Sequence, residues 1–64
     1  MRKSVTLRTS ERLIRLAYDM EELAARMIAE GHDSEGNGVR SIASHLGKIG
    51  RTLENKLLAL RGEL

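Results

Sequence analysis

Large apolar residues recur along this chain at alternating steps of three and four, and that period sets the fold class. Leu13, Leu16, Met20, Leu23 and Met27 form one series, and Val39, Ile42, Leu46, Ile49, Leu53, Leu57 and Leu60 form a second, longer one. On a helix of 3.6 residues per turn such steps return to one face, whereas a half-buried strand alternates by two. Each series therefore predicts an amphipathic helix with an apolar seam. Ala17 and Ala24 flank the first seam, and Ala43 and Gly50 lie beside the second. If the helices fold back antiparallel, these small residues face each other and allow a close approach.

The expected boundaries follow from local chemistry. Thr9 or Ser10 is the expected N-cap of the first helix, because a short hydroxyl accepts from the exposed first-turn amides. Gly31 is the expected stop, being free to take the left-handed conformation. The first helix is predicted over about 10–30, after a basic tail at 1–9. Gly31, Gly36 and Gly38 mark a loop over about 31–37, with Ser34 or Asn37 as the next cap. The second helix is predicted over about 38–61, before Gly62. Inside it, Gly47 and Gly50 each cost about 1 kcal/mol in helix propensity and so call for a packing reason. The fold class is all-α, an antiparallel two-helix hairpin.

A chain of 64 residues is one domain and needs support. Domains of this size bury only roughly 60% of their unfolded surface and are marginal alone. Cysteine is absent, which removes disulfides and thiolate metal sites, and two histidines are too few for a zinc site. No metal or cofactor is expected. A lone hairpin shields one side of each seam, so association of two hairpins into a four-helix bundle is predicted, with both apolar series as core and dimer interface. No apolar run approaches the ~20 residues that span a bilayer. After Met1-Arg2-Lys3, the residues Ser4, Thr6, Arg8, Thr9 and Ser10 interrupt any signal-peptide core. A soluble, cytoplasmic homodimer without membrane contact is the expectation.

The net charge of +2 conceals a gradient. Residues 1–16 carry Arg2, Lys3, Arg8, Arg12 and Arg15 against Glu11. Asp19, Glu21, Glu22, Glu30, Asp33 and Glu35 then dominate 17–36, and Arg40, Lys48, Arg51, Lys56 and Arg61 restore a basic end. Two hairpins packed antiparallel would place basic ends beside acidic tips, so the gradient can set dimer register. The other reading is a basic platform for phosphate backbones, formed by Arg2, Lys3, Arg8, Arg12 and Arg15. Arg12 and Arg15 favour it, since cations near a helix N-terminus oppose the macrodipole.

Several motifs carry resemblances. Lys3-Ser4-Val5-Thr6-Leu7-Arg8 alternates polar and apolar before Thr9-Ser10-Glu11-Arg12-Leu13, and this start resembles the ribbon–helix–helix repressors and antitoxins. The resemblance implies a DNA-reading strand with Ser4, Thr6 and Arg8 toward the bases and Val5 and Leu7 toward the core. It covers about the first sixteen residues; Gly31 then falls at least a turn too late for the family. The plan of two helices without cysteine is similar to the plasmid-encoded RNA-binding hairpin dimers that control copy number. His45-Leu46-Gly47-Lys48 resembles phosphotransfer bundles, which implies a phosphate-accepting His45 neutralised by Lys48; Ile49 stands where that pattern has glycine. Asp33-Ser34-Glu35-Gly36-Asn37-Gly38 resembles the first half of an EF-hand loop, but Ser44 occupies the twelfth position, where a bidentate glutamate is needed.

No serine or histidine has the spacing of a nucleophile and its base, so no enzyme and no catalytic residue are expected. The first functional expectation is a small regulatory or adaptor protein that acts through protein contacts as a homodimer. DNA or RNA binding through the basic end is the alternative, and histidine phosphotransfer at His45 is the second alternative.

Overall fold

The computed structural model describes residues 5–61. They form two α-helices, α1 (Leu7–Ala29) and α2 (Asp33–Leu60), packed on each other as an all-α hairpin. No strand occurs among the described residues. Arg2, Lys3 and Ser4 lie outside them.

Helix α1 begins at Leu7, earlier than the expected Ser10, because Thr6 rather than Thr9 or Ser10 is its N-cap. Thr6 is extended, with φ −124° and ψ 176°. Its N–H donates to Oγ1 of Thr9 at 3.2 Å, the reciprocal half of a capping box with threonine in the usual glutamate position. Ser10 has a different task. Its hydroxyl donates to the Leu7 carbonyl at 2.7 Å, which satisfies a polar group on a fully buried residue. Since Leu7 and Arg8 are helical, the strand implied by the ribbon–helix–helix resemblance is not formed over those residues, and the tail expected over 1–9 is shorter.

The connection is also shorter than the expected 31–37. Gly31 has φ +94°, the left-handed conformation that favours glycine. The His32 N–H donates to the Met27 carbonyl at 2.8 Å and the Gly31 N–H to that of Ile28 at 3.0 Å, the two bonds of a Schellman motif. His32 then serves at once as N-cap of α2, and its carbonyl accepts the Gly36 N–H at 2.8 Å. Only Glu30, Gly31 and His32 separate the helices, within the usual 2–5 residues of a helical hairpin. Asp33 and Glu35 fall in the first turn of α2, where the macrodipole favours anions. This early start places Asp33 to Gly38 on a helix, so the partial EF-hand resemblance does not describe a cation-wrapping loop.

The line of contact differs from the expected one as well. Small residues are its centre, not its flank. Ser10, Ala17 and Ala24 are the buried residues of α1, and Gly36, Ala43, Gly47 and Gly50 those of α2. Ser10, Ala17 and Ala24 are seven apart, as are Gly36, Ala43 and Gly50. A strict seven-residue repeat keeps one stripe in contact when helices wrap gently around each other. Side chains this small bring the backbones together. A Cβ added at Gly36 would lie 2.5 Å from Cγ1 of Ile28 and 3.0 Å from the Ala24 carbonyl oxygen. One added at Gly50 would lie 2.8 Å from Cγ1 of Ile14 and 3.2 Å from Cβ of Leu13. These contacts also show the antiparallel pairing, with Gly36 beside Ala24 and Gly50 beside Leu13.

The two other glycines of α2 have no such reason. A Cβ at Gly47 meets nothing closer than 3.6 Å, and one at Gly38 meets nothing within 4 Å. Gly38→Ala and Gly47→Ala should therefore stabilise the protein by up to about 1 kcal/mol each through helix propensity. Gly36→Ala and Gly50→Ala should destabilise it, since overpacking costs about 1–3 kcal/mol against the same gain. Urea unfolding of the four variants, followed by far-ultraviolet circular dichroism, checks the opposite signs.

Candidate functional site

The contact line determines where the large apolar residues go. Each residue advances about 100° around the helix. Leu13, Met20 and Met27 lie next to the small row of α1, with Leu16 and Leu23 further round in the same sense. On α2, Val39, Leu46 and Leu53 lie next to the small row, followed by Ile42 and Ile49. Because the helices are antiparallel, equal rotations away from the contact bring both sets to the same side of the hairpin. The opposite side holds a surface depression lined by residues of both helices, including Tyr18, Glu21, Ser44 and Arg51.

The hairpin thus has one broad apolar face. Its rows nearest the contact, Leu13, Met20, Met27, Val39, Leu46, Leu53 and Leu57, are half-buried. The outer rows are open to solvent: Leu16 and Leu23 are each 50% exposed, Ile42 60%, Ile49 45% and Leu60 77%. Four of these five directly precede a small contact residue, in the pairs Leu16-Ala17, Leu23-Ala24, Ile42-Ala43 and Ile49-Gly50. The two series thus share one side of the hairpin. What they line, however, is an open surface rather than the seam between α1 and α2. The three buried hydrophobic residues among those described are alanines, Ala17, Ala24 and Ala43.

The surface is large for a chain of this mass. The chain exposes 4982 Å² at a mass of 7.1 kDa. Folded monomers of this mass expose roughly 4,100 Å² by the usual size scaling.

Charge is divided along the hairpin. At the open end, residues 5–16 and 47–61 carry Arg8, Arg12, Arg15, Lys48, Arg51, Lys56 and Arg61 against Glu11 and Glu54, a net +5. At the turn end, residues 17–46 carry Asp19, Glu21, Glu22, Glu30, Asp33 and Glu35 against Arg26 and Arg40, a net −4. Arg8, Arg12 and Arg15 are all exposed, and Arg12 and Arg15 line a depression with Thr9, Leu16 and Asp19. The early start of α1 moves the cation that opposes the helix dipole. Arg8 now stands in the first turn, which has no acidic residue, while Arg12 and Arg15 lie beyond the reach of the terminal dipole.

His45 is exposed, in place of the half-buried position that a residue at the seam's edge would take. It borders a depression with Lys48, Ile49, Thr52, Leu53 and Lys56, so Lys48 is brought near it as the sequence spacing predicted. No group of three or more histidine, cysteine or acidic residues able to hold a metal occurs among the described residues. No helix of the described residues is long and apolar enough to cross a membrane. No family model, curated protein sequence or solved structure matches this chain.

Arg8 gives a direct test of where charge opposes stability. Arg8→Glu replaces a cation in the first turn of α1 with an anion, the new pair with Arg12 four residues on being offset by repulsion from Glu11 three residues on, so that the dipole sets the sign. The substitution should raise stability by about 0.5–1 kcal/mol at low ionic strength, with the gain shrinking in high salt. Thermal unfolding at the two salt concentrations checks both statements.

Proposed function

We propose that this chain is a small non-enzymatic adaptor or regulatory protein that works as a homodimer. In this reading two hairpins bury their apolar faces against each other as a four-helix bundle, and the polar outer surface contacts other proteins. The observation that carries it is the single open apolar face, with Leu16, Leu23, Ile42 and Ile49 half in solvent. Exposed patches of this extent mark interaction surfaces in soluble domains. Leucine and isoleucine at heptad spacing match the interior of helical bundles.

Light scattering after size exclusion is the test. Twice the chain mass is expected at micromolar concentration. Leu23→Glu combined with Ile42→Glu should convert the protein to a single-chain species, because each carboxylate would be desolvated at the centre of the interface. Both side chains are exposed within the hairpin, so its own packing loses little. A folded single-chain species for the unaltered protein would refute the dimer.

A second reading is a DNA- or RNA-binding regulator that uses the basic open end through Arg8, Arg12 and Arg15. The observation favouring it is Arg8, a cation kept in a helix first turn at a cost to stability. Titration with DNA and with RNA should then show affinity falling steeply with salt. Arg8→Glu with Arg12→Glu and Arg15→Glu should abolish it; absence of binding even at low salt removes this reading.

A further inference from the structure

We infer that the second copy lies antiparallel on the apolar face, related by a two-fold axis that runs across the middle of the hairpin near Met20 and Leu46. The inference rests on the homodimer reading and fixes its geometry.

The contacts of Gly50 with Leu13 and of Gly36 with Ala24 fix the height of α2 residues against α1. On that scale Leu13 and Leu53 lie toward the open end, Met27 and Val39 toward the turn, and Met20 and Leu46 near the middle. The charge boundary falls at the same middle. Below it the hairpin is net +5 and above it net −4.

Two symmetric ways exist to lay one such face on another copy. An axis along the helices puts open end on open end, so +5 meets +5 and −4 meets −4. An axis across the helices puts open end on turn, so opposite charges meet along the whole length. Both bury the same apolar rows, and therefore charge decides between them; like charges held together cost several kcal/mol across an interface.

The crosswise axis has a second consequence. It stacks α1 on the partner's α1 and α2 on the partner's α2, each pair antiparallel. The residues bordering the apolar face then complement each other. Arg12 comes to the height of the partner's Glu30, and Lys56 to that of the partner's Glu35. Rim pairs of this kind add little affinity each, but they select orientation. The face has large apolar side chains to bury on both helices, since Leu16, Leu23, Ile42 and Ile49 remain 45–60% exposed within one hairpin.

The absence of cysteine makes a single-label experiment clean. Ser34 is exposed in the first turn of α2, at the turn end of the hairpin. Ser34→Cys carrying a nitroxide reports the distance between the two turns by pulsed electron resonance. The turn lies about twelve residues beyond the axis on each copy, so at 1.5 Å per residue the antiparallel dimer predicts roughly 35 Å. Two-chain mass with that distance supports the inference. Two-chain mass with a distance under about 20 Å, as expected for a bundle two helix diameters across, overturns the antiparallel geometry and leaves the homodimer standing. Single-chain mass overturns the homodimer itself, and the geometry with it. Salt supplies an independent sign: added salt should weaken an antiparallel dimer by screening attraction, whereas it would strengthen a parallel one.

Discussion

The close approach of two helix backbones is the constraint on which the rest of this structure depends. Ser10, Ala17 and Ala24 on one helix and Gly36, Ala43 and Gly50 on the other leave no room for a large side chain between them. Close packing in this form gains dispersion and backbone contact, but it buries little apolar area. The stabilisation that a larger core supplies, about 25 cal/mol per Å² of apolar surface, is correspondingly small inside one hairpin. A large apolar side chain on either helix cannot enter the contact line, so it must go to one side. The sequence sends most of them to the same side, with Leu7, Ile14, Tyr18, Ile28 and Leu58 on the other.

That one-sidedness links packing to function. A hairpin with two polar faces would be complete but barely stable, and one with two apolar faces would aggregate. This chain has one broad apolar face, and an opposite face that mixes Ile14 and Tyr18 with Glu21, Ser44 and Arg51. In the proposed homodimer the apolar side meets a single partner layer, which gives a closed assembly instead of an open one. The division of charge into a +5 half and a −4 half acts on the same surface, disfavouring one orientation of an otherwise permissive apolar contact.

Much of this was legible in the sequence, though not its central feature. The three-and-four period of Leu13 to Met27 and of Val39 to Leu60 identifies two helices, and Gly31 marks the turn between them. Periodicity reports which residues share a face; it does not report what the face meets. Ala17, Ala24, Ala43 and Gly50 were visible as small neighbours of the apolar series, yet burial ranks by fit as well as by hydrophobicity. The boundaries shifted for local reasons. Thr9 and Ser10 look like caps, but one completes the cap of Thr6 and the other turns its hydroxyl back to Leu7. Gly36 looks like a loop residue because propensity alone disfavours it in a helix. Its contact with Ile28 and Ala24 outweighs that disfavour. The basic end was legible as composition, while its placement against the helix dipole moved from Arg12 and Arg15 to Arg8 once the true start of α1 was known.

The proposed homodimer makes stability a property of two chains, and thermal unfolding over a hundredfold range of protein concentration tests that most directly. A hairpin completed by a second copy should unfold in one transition whose Tm rises by several degrees for each tenfold increase in concentration, as mass action requires for coupled folding and association. A cooperative transition whose Tm is independent of concentration would contradict it. In that case the small-residue contact would suffice alone, and the open apolar face would have no second copy to cover it.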